Sequence, residues 1–340
     1  MPTSVWLQVN RFLAQRVRQI HICNRDIPAS IPLPPYVTNS GKKSQHDPPK
    51  VPVVHTEDAI ADLRTACSFV RDIFTELENF IRPGLSTQDI DDFVYKSCIS
   101  KQVYPSPLNY HGFPKSVCTS INEVACHGIP ASSVFLCPGD LLSVDISVYT
   151  GHAHGDSCRS YVIDSLESML KKMQLSQSAY RERAKRSQFL CAVAKSCCEA
   201  AIRICGPGVP YSEIAQIISL MADNQGCRVV AGIRGHGVGN FLHGPPDIKH
   251  SVYELLPSTS EPDTDRSSDA LMKSGHVFTI EPCIALADSN APKPEAGSFM
   301  LPAVPVVLDD QWTVVTADRA LTAQFEHTIL ITDSGHSVLT

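Results

Sequence analysis

Apolar side chains recur every three and four residues across residues 57–81, which predicts a helix with one face buried on a core. Pro83 and Gly84 end this pattern. The hydroxyl of Ser86 or Thr87 is then placed to cap a second helix. The apolar positions of the first helix are Ile60, Leu63, Cys67, Val70, Phe74 and Leu77.

The same order of elements returns in the second half of the chain. A helix that contains Phe189 and Val193 ends at Gly206, and Ser212 is placed to cap the helix that follows. The Pro-Gly turns at Gly84 and Gly208 are separated by 124 residues, and their surroundings match at the same offset. Pro-Gly turns are common between helices, so this match alone also allows coincidence.

Strand-like segments follow each predicted pair of helices. Residues 141–149 alternate between apolar and polar side chains, as a half-buried strand does. Residues 227–233, 277–281 and 324–332 follow the second pair. These segments predict an α/β (α+β) fold made of two related halves around a shared cleft. Residues 251–274 and 287–302 show no regular period and are expected to form surface loops, and residues 165–185 are expected to form a loop that can include a lead-in to the third helix.

Charge and composition exclude several classes of protein. The 340 residues carry a formal charge of −6, so an interface with nucleic acid is not expected. No apolar run approaches the roughly 18 residues of a membrane span. The 13 cysteines are odd in number and lie among apolar positions, which favours reduced thiols in an intracellular compartment.

The N-terminal region differs from the rest of the chain. Residues 1–25 contain four arginines and no acid, with apolar positions that can share one helical face, so they predict a mitochondrial presequence or a basic tail. Residues 26–55 hold seven prolines and are expected to form an extended linker. The catalytic domain is predicted to span residues 56–340. If residues 1–25 are a presequence, the protein is expected in the mitochondrion. If they are a basic tail, it is expected in the cytoplasm.

Three acids interrupt apolar strands in this sequence. Asp145 lies inside the strand 141–149, Glu281 ends the run 277–280, and Glu326 precedes the apolar run 329–331. Each acid taken alone is compatible with a solvated strand face or a pairing with Lys or Arg. An ionised carboxylate buried without a partner costs several kcal/mol, and a divalent cation compensates several carboxylates at once. Asp156 follows Asp145 by the distance of a tight hairpin.

Histidines in glycine-rich segments are weaker signals. His236 lies in Gly235-His236-Gly237, His243 follows seven residues later, and His127 precedes Gly128. Glycine allows a backbone or a ligand to approach closely, so these rings are accessible candidates for chemistry. The sequence contains no serine-nucleophile elbow and no phosphate-binding loop.

Several longer motifs resemble the type 1 methionine aminopeptidases, and most closely their mitochondrial branch. The resemblance covers about residues 53–339. It is carried by residues 104–108 (Tyr-Pro-Ser-Pro-Leu), 111–118 (His-Gly-Phe-Pro-Lys-Ser-Val-Cys), 122–130 (Asn-Glu-Val-Ala-Cys-His-Gly-Ile-Pro) and 323–328 (Ala-Gln-Phe-Glu-His-Thr). It implies the pita-bread fold, in which antiparallel sheet flanked by helices forms two halves related by a pseudo-twofold axis.

The resemblance also implies a metal site and catalytic residues. The ligands of two divalent ions would be Asp145, Asp156, His236, Glu281 and Glu326. Asp156 and Glu326 would bridge the ions, which would activate a water for attack on the peptide carbonyl. Glu281 would carry the proton to the leaving amine, His127 would lie near the peptide nitrogen, and His243 near the carbonyl oxygen. The oxygen-rich ligand set favours Mn, Fe, Co or Zn without choosing among them.

The resemblance further implies a small apolar pocket for methionine. The family's pocket positions are occupied by Tyr110, Phe113, Cys118, Leu242 and Trp312, with His127 and His243 at its edge. Two positions depart from the family's pattern: Leu242 replaces a usual Phe, and Ser147 replaces a usual Thr near the ions. The loops 165–185, 251–270 and 287–302 are longer than usual, which affects the rim that meets the second and third substrate residues.

The resulting prediction is metal-dependent removal of an initiator methionine that precedes a small residue. The expected partners are the N-termini of peptides and nascent proteins, with transient contact with the ribosome, and the chain is expected to be a monomer. One alternative is a proline-directed peptidase with the same metal site. Another is a metal-free relative that binds the ribosome or RNA, which the acidic composition disfavours.

Overall fold

The computed structural model describes residues 25–38, 49–164, 171, 176–256, 270–288 and 298–340. Its helices are α1 (Pro35–Thr38), α2 (Glu57–Glu78), α3 (Thr87–Ser100), α4 (Gln177–Arg203) and α5 (Ser212–Asn224). Short 3-10 turns lie at Tyr110–Gly112 and Val252–Leu255. Within the described residues, no helix combines the length and apolar character that a membrane crossing requires.

The strands pair into antiparallel sheets. They are β1 (Tyr104–Pro105), β2 (Cys118–Ile121), β3 (Val124–Cys126), β4 (Leu141–Tyr149), β5 (His154–Val162), β6 (Cys227–Val229), β7 (Gly235–Gly237), β8 (Gly244–Ile248), β9 (Val277–Ile280), β10 (Cys283–Leu286), β11 (Pro305–Val307), β12 (Val314–Thr316), β13 (Thr322–Gln324), β14 (His327–Thr332) and β15 (Gly335–Val338). In one sheet β1 and β2 pair with β4, which also pairs with β5; the other orders are β13-β10-β6, β11-β12-β3 and β15-β14-β9-β7-β8. The predicted class of antiparallel sheet flanked by helices is confirmed.

Each half has its own core between helices and sheet. In the first half, α2 and α3 bury residues such as Phe74 and Ile90 against the apolar side chains of β4. In the second half, α4 and α5 bury residues such as Leu190 and Ile218 against β9, β10 and β14. The apolar stripe predicted for the first helix is therefore the face that meets the sheet.

The two halves repeat one backbone arrangement. The amide of Gly84 donates to the carbonyl of Leu136 at 2.8 Å, and the amide of Gly208 donates to the carbonyl of Met272 at 2.8 Å. The two donors are separated by the 124 residues found in the sequence, and the two acceptors by 136 residues. The internal duplication predicted from the Pro-Gly turns is thus visible in hydrogen bonding.

Two helix starts differ from the sequence prediction. Residues 177–185, predicted as loop, belong to α4, whose first turns are polar and exposed and so lack an apolar stripe. Ser176 caps this helix by accepting from the amide of Ala179. Ser212 is the first residue of α5 and not its cap; Tyr211 precedes the helix without a capping side chain. The remaining predicted loops are described only in part, because residues 165–170, 172–175, 257–269 and 289–297 lie outside the described ranges.

The segment 25–38 packs on the first half of the domain. Ile31 is only 3% exposed and lies in an apolar cluster with Tyr104 and Tyr149. The turn Pro35–Thr38 is helical. This packing departs from the extended linker that the prolines predict, because Ile31 supplies an apolar anchor between them. The predicted presequence lies outside the described residues except for Arg25.

Candidate metal and substrate site

The hairpin of β4 and β5 brings Asp145 and Asp156 to one face of a sheet. Asp145 lies opposite Cys158 and Asp156 lies opposite Ser147, so the two acids are diagonal neighbours on the same side. Asp145 is half-buried and Asp156 is buried. The eleven residues from Asp145 to Asp156 therefore form a tight hairpin, as the sequence predicts.

The second half contributes Glu281 and Glu326. Glu281 directly follows β9 and comes 136 residues after Asp145, the same separation as between the acceptor carbonyls of Leu136 and Met272. Glu326 lies between β13 and β14, where its amide donates to the carbonyl of Cys158 at 2.9 Å. The predicted continuous strand 324–332 is thus interrupted, because Phe325 and Glu326 leave the two ladders and Glu326 meets the first half.

His236 lies between the acids of the two halves. Its Nε2 is 3.5 Å from Oε1 of Glu281 and 3.7 Å from Oδ2 of Asp156. Asp156, His236 and Glu326 each present a ligand atom, and these atoms all lie within 4.8 Å of one another. The glycines beside His236 let the neighbouring backbone pack closely against β7, since a Cβ on Gly237 would lie 2.1 Å from the backbone oxygen of Pro245.

Burial dominates the electrostatics of this cluster. It raises the pKa of Asp145 to about 7 and raises the pKa values of Asp156, Glu281 and Glu326 well above their usual range. Neighbouring carboxylates raise the last three further. Burial lowers the pKa of His236 to about 4, so its imidazole is neutral at pH 7. A cation would reverse the carboxyl shifts, because it stabilises the ionised forms.

Two acceptor atoms of the cluster have no hydrogen-bond partner among the described residues. They are Oδ1 of Asp145 and Oδ1 of Asp156, and both are buried. An unsatisfied buried polar atom costs about 1–3 kcal/mol. Carboxylate oxygens with a neutral imidazole form a donor set that divalent Mn, Fe, Co or Zn accepts. The residues present therefore fit a metal site.

Further side chains hold Glu281 and His236 in place. The hydroxyl of Thr279 donates to Oε1 of Glu281 at 3.0 Å and accepts from the amide of His236 at 3.0 Å. Gln324 donates to the other carboxylate oxygen of Glu281 at 3.3 Å. The backbone amide of Glu281 donates to Nε2 of His250 at 3.3 Å. His250 carried no functional signal in the sequence, because its role depends on a contact 31 residues away.

His243 lies on the open side of the cluster. Its ring centroid is 4.2 Å from that of His236, and its Nδ1 is 2.7 Å from the hydroxyl of Tyr110. The ring remains accessible to solvent, yet the surrounding protein and the charges of nearby histidines lower its pKa well below 6.5. His243 is therefore a neutral hydrogen-bonding group at pH 7.

Phe113, Trp312 and His127 form a row of rings, called the aromatic wall below. Phe113 is buried and meets Trp312 edge to face at a centroid distance of 5.1 Å. Trp312 in turn lies 5.9 Å from the ring of His127, which is accessible to solvent and has a pKa lowered by burial. The structure thus places three of the predicted substrate residues side by side.

Cys118 and Leu242 complete the predicted substrate set. Cys118 is buried in β2 and lies opposite Asp145, while Leu242 is buried next to His243. Burial raises the pKa of the Cys118 thiol well above its usual range, so it is an apolar wall residue and a poor nucleophile. The 12 cysteines in the described part of the chain are all free, and most are buried.

Comparison with known sequences gives consistent results. The profile of metallopeptidase family M24 matches residues 61–333. Similar proteins include "Methionine aminopeptidase 1D, mitochondrial" of Danio rerio, 36% identical over 92% of this chain and 79% of that protein. The human protein of the same name is 35% identical over the same shares. "Methionine aminopeptidase 1" of Saccharomyces cerevisiae is 34% identical over 93% of this chain and 71% of that protein.

Solved structures show the same similarity. Methionine aminopeptidase from Rickettsia prowazekii has a TM-score of 0.67 and 28% identity, covering 85% of this chain and 100% of its own. The enzyme from Thermotoga maritima has a TM-score of 0.68 and 26% identity, covering 85% and 99%. These matches confirm the predicted pita-bread fold. Prolidase from Pyrococcus furiosus, at 18% identity and a TM-score of 0.53, shares the fold alone.

Proposed function

Because this chain belongs to metallopeptidase family M24 and, within it, to the methionine aminopeptidases, we propose that it removes N-terminal methionine when a small residue follows. Its substrates are the N-termini of peptides and nascent proteins. The observation that carries this proposal is the convergence of buried carboxyl groups from both halves on the neutral ring of His236.

The proposed ligands of two divalent ions are Asp145, Asp156, His236, Glu281 and Glu326. Asp156 and Glu326 are the bridging ligands in this proposal, and His236 binds one ion. The unpaired Oδ1 atoms of the two aspartates support this assignment, because each retains a free acceptor within the cluster. When bound, such ions lower the pKa of water and polarise a carbonyl group.

Glu281 is the proposed proton carrier. Thr279 and Gln324 hold its two oxygens, so the carboxylate is oriented before substrate arrives. It would accept a proton from the attacking water and deliver it to the leaving amine. His127 would contact the peptide nitrogen, and His243 would donate to the carbonyl oxygen as negative charge develops there.

The methionine side chain would occupy the pocket formed by Phe113, Trp312 and their neighbours. An unbranched thioether packs well on aromatic faces, because sulfur is polarisable and the chain is flexible. The remaining proposed wall residues are Tyr110, Cys118 and Leu242. The substrate residue after methionine would lie next to the rings of His127 and His243. Their bulk would favour a small side chain on that residue.

A peptide assay tests this function. The purified full chain with Mn or Co should release methionine from Met-Gly and Met-Ala peptides, and EDTA should stop the release. Glu281→Gln should lower kcat by about 10²–10⁴-fold, the usual contribution of general acid–base catalysis. Glu213→Gln, on the exposed first turn of α5, is the matched control and should retain full activity.

Two outcomes would contradict the proposal. Hydrolysis of Xaa-Pro dipeptides with methionyl peptides untouched would indicate a proline-directed peptidase of the same fold. A metal content near zero, together with co-purified RNA, would indicate a binding module. Full activity of Glu281→Gln would overturn the proton-carrier role alone.

The proposed location is the mitochondrion, supported by the basic N-terminus and by relatives whose names include that organelle. The proposed assembly is a monomer that contacts the ribosome transiently. Mass spectrometry of the mature N-terminus from purified mitochondria tests the location. An intact Met1 there would count against presequence cleavage.

A further inference from the structure

The N-terminal segment 25–38 reaches the substrate side of the site through one side chain. The ring of Tyr36 meets the ring of Tyr110 edge to face, with centroids 5.0 Å apart. Its other neighbour is His154, whose ring lies nearly parallel at 6.3 Å. Tyr36 comes from outside the predicted catalytic domain, yet it contacts a wall residue of the cleft.

Tyr36 is also fixed at its polar end. Its hydroxyl donates to the backbone carbonyl of Ser106 at 2.5 Å, and the Ser106 hydroxyl bonds to Nδ1 of His154 at 2.9 Å. Burial raises the pKa of the phenol well above its usual range, so it stays neutral and keeps its donor. The Tyr36 side chain is therefore held at both its ring and its hydroxyl.

The segment that carries Tyr36 is anchored independently. Arg25 forms ion pairs with Asp91 and Asp92, the second at 2.7 Å. The hydroxyl of Tyr95 donates to the carbonyl of Asp26 at 2.6 Å. Ile31 is buried in its apolar cluster. These contacts fix the backbone from Arg25 to Ile31, ahead of Tyr36.

We propose that Tyr36 is a positioning residue, which holds Tyr110 so that its hydroxyl keeps the His243 imidazole aimed at the substrate carbonyl. Two contacts connect Tyr36 to His243. The ring of Tyr36 packs against the ring of Tyr110, and the hydroxyl of Tyr110 forms a hydrogen bond of 2.7 Å with Nδ1 of His243. An aromatic edge-to-face contact is attractive beyond simple burial, because the positive edge of one ring meets the negative face of the other, and it therefore favours one orientation of Tyr110. The expected effect on rate rests on the proposed function; the geometry of His243 does not.

A double-mutant cycle tests this link in the metal-loaded full chain. Tyr36→Ala should lower kcat for a Met-Ala peptide about tenfold, as small misplacements of catalytic groups do. Tyr36→Phe keeps the ring and should restore most of this loss. In a Tyr110→Phe background, where the bond to His243 is already absent, Tyr36→Ala should cost less than about twofold. Tyr211→Phe removes a comparable hydroxyl bond, to Nδ1 of His276 in the second half, and should leave kcat unchanged.

If Tyr36→Ala acted only through a general loss of structure, it would lower kcat by the same factor in the wild-type and the Tyr110→Phe backgrounds, and that result would overturn the proposal. No loss in Tyr36→Ala would overturn it as well. A second measurement does not depend on activity: ¹⁵N spectra of histidine-labelled, metal-free protein should show the ring nitrogens of His243 shifted by Tyr36→Ala and not by Tyr211→Phe. Unshifted resonances would overturn the inference. A wild-type chain that releases no methionine would instead refute the proposed function, and the spectra would still decide the role of Tyr36.

Discussion

The hydroxyl of Tyr110 and Nδ1 of His243 lie 2.7 Å apart, although 133 residues separate them in the chain. Burial raises the pKa of Tyr110 to about 12 and lowers that of His243, so both groups are neutral at pH 7. A phenol that donates to Nδ1 leaves the proton of the imidazole on Nε2. His243 is then a hydrogen-bond donor on the side that faces the cleft.

Removing this hydroxyl should slow the reaction more than it weakens substrate binding. Tyr110→Phe is expected to lower kcat about tenfold, because loss of the bond frees the His243 ring, which is proposed to stabilise developing charge. KM should change by less than about twofold, because the apolar wall is retained. Steady-state kinetics on a Met-Ala peptide measure both constants. Tyr211→Phe removes a hydroxyl bond to His276 and is the control; equal kcat in both variants would contradict the expectation.

The aromatic wall should govern affinity for methionine. Trp312→Ala removes an aromatic ring proposed to contact the methionine thioether, and a sulfur–aromatic contact is worth about 0.3–1.5 kcal/mol. The expected result is a KM for Met-Ala peptides raised about two- to tenfold. Phe189→Ala, at an exposed position on α4, is the control. An unchanged KM in Trp312→Ala would remove this residue from the pocket.

The carboxyl cluster predicts how metal and pH act together on stability. The pKa of Asp145 is raised from its ordinary 3.8 to about 7 in the folded protein. The metal-free folded state therefore binds more protons than the unfolded state between these values. The contribution of the protonated Asp145 carboxyl to the free energy of unfolding is fully present below about pH 4 and is lost as pH rises through about 7. Bound cations compensate the ionised carboxylates, so the metal-loaded protein lacks this loss.

Thermal unfolding at several pH values checks this expectation. The increase in Tm on adding Mn should be larger at about pH 8 than at about pH 5, by roughly 4 °C or more. Asp145→Asn removes one titrating ligand and should reduce both the increase and its pH dependence. An increase in Tm that is independent of pH would show that the acids are already ionised without metal.

Gly128 should not tolerate a side chain. A Cβ at this position would lie 2.1 Å from the backbone oxygen of Thr119, so the segment after β3 that carries His127 would have to move. Gly128→Ala is expected to destabilise the fold by about 1–3 kcal/mol and to lower kcat. Gly335→Ala is the matched control, since no atom lies within 4 Å of its Cβ. Chemical denaturation of both variants gives the comparison; equal midpoints would be the contrary result.

Local patterns predicted the elements whose burial is simple. The alternation in residues 141–149 matches the bounds of β4, and the apolar stripe of residues 57–81 matches α2 to within three residues at its C-terminal end. Acids inside apolar runs also identified candidate ligands, because burial of charge is costly enough to require a reason. Their assembly into one site came from the family resemblance and not from spacing.

Tertiary contacts determined what local patterns did not show. The exposed, polar start of α4 has no apolar stripe, so its helix could not be recognised before residue 186. Glu326 leaves its strand because its backbone pairs with Cys158 in the other half. Tyr36 lay in a proline-rich segment, and nothing in that segment indicates that its ring meets Tyr110.

The ion pairs of Arg25 have a consequence for proteolytic maturation. A targeting protease that cuts after Arg25 would remove the contacts to Asp91 and Asp92 and leave Ile31 as the main anchor of the segment. A cut before Arg25 would leave every one of these contacts in place. The position of a single peptide cleavage would therefore set how firmly Tyr36 is held.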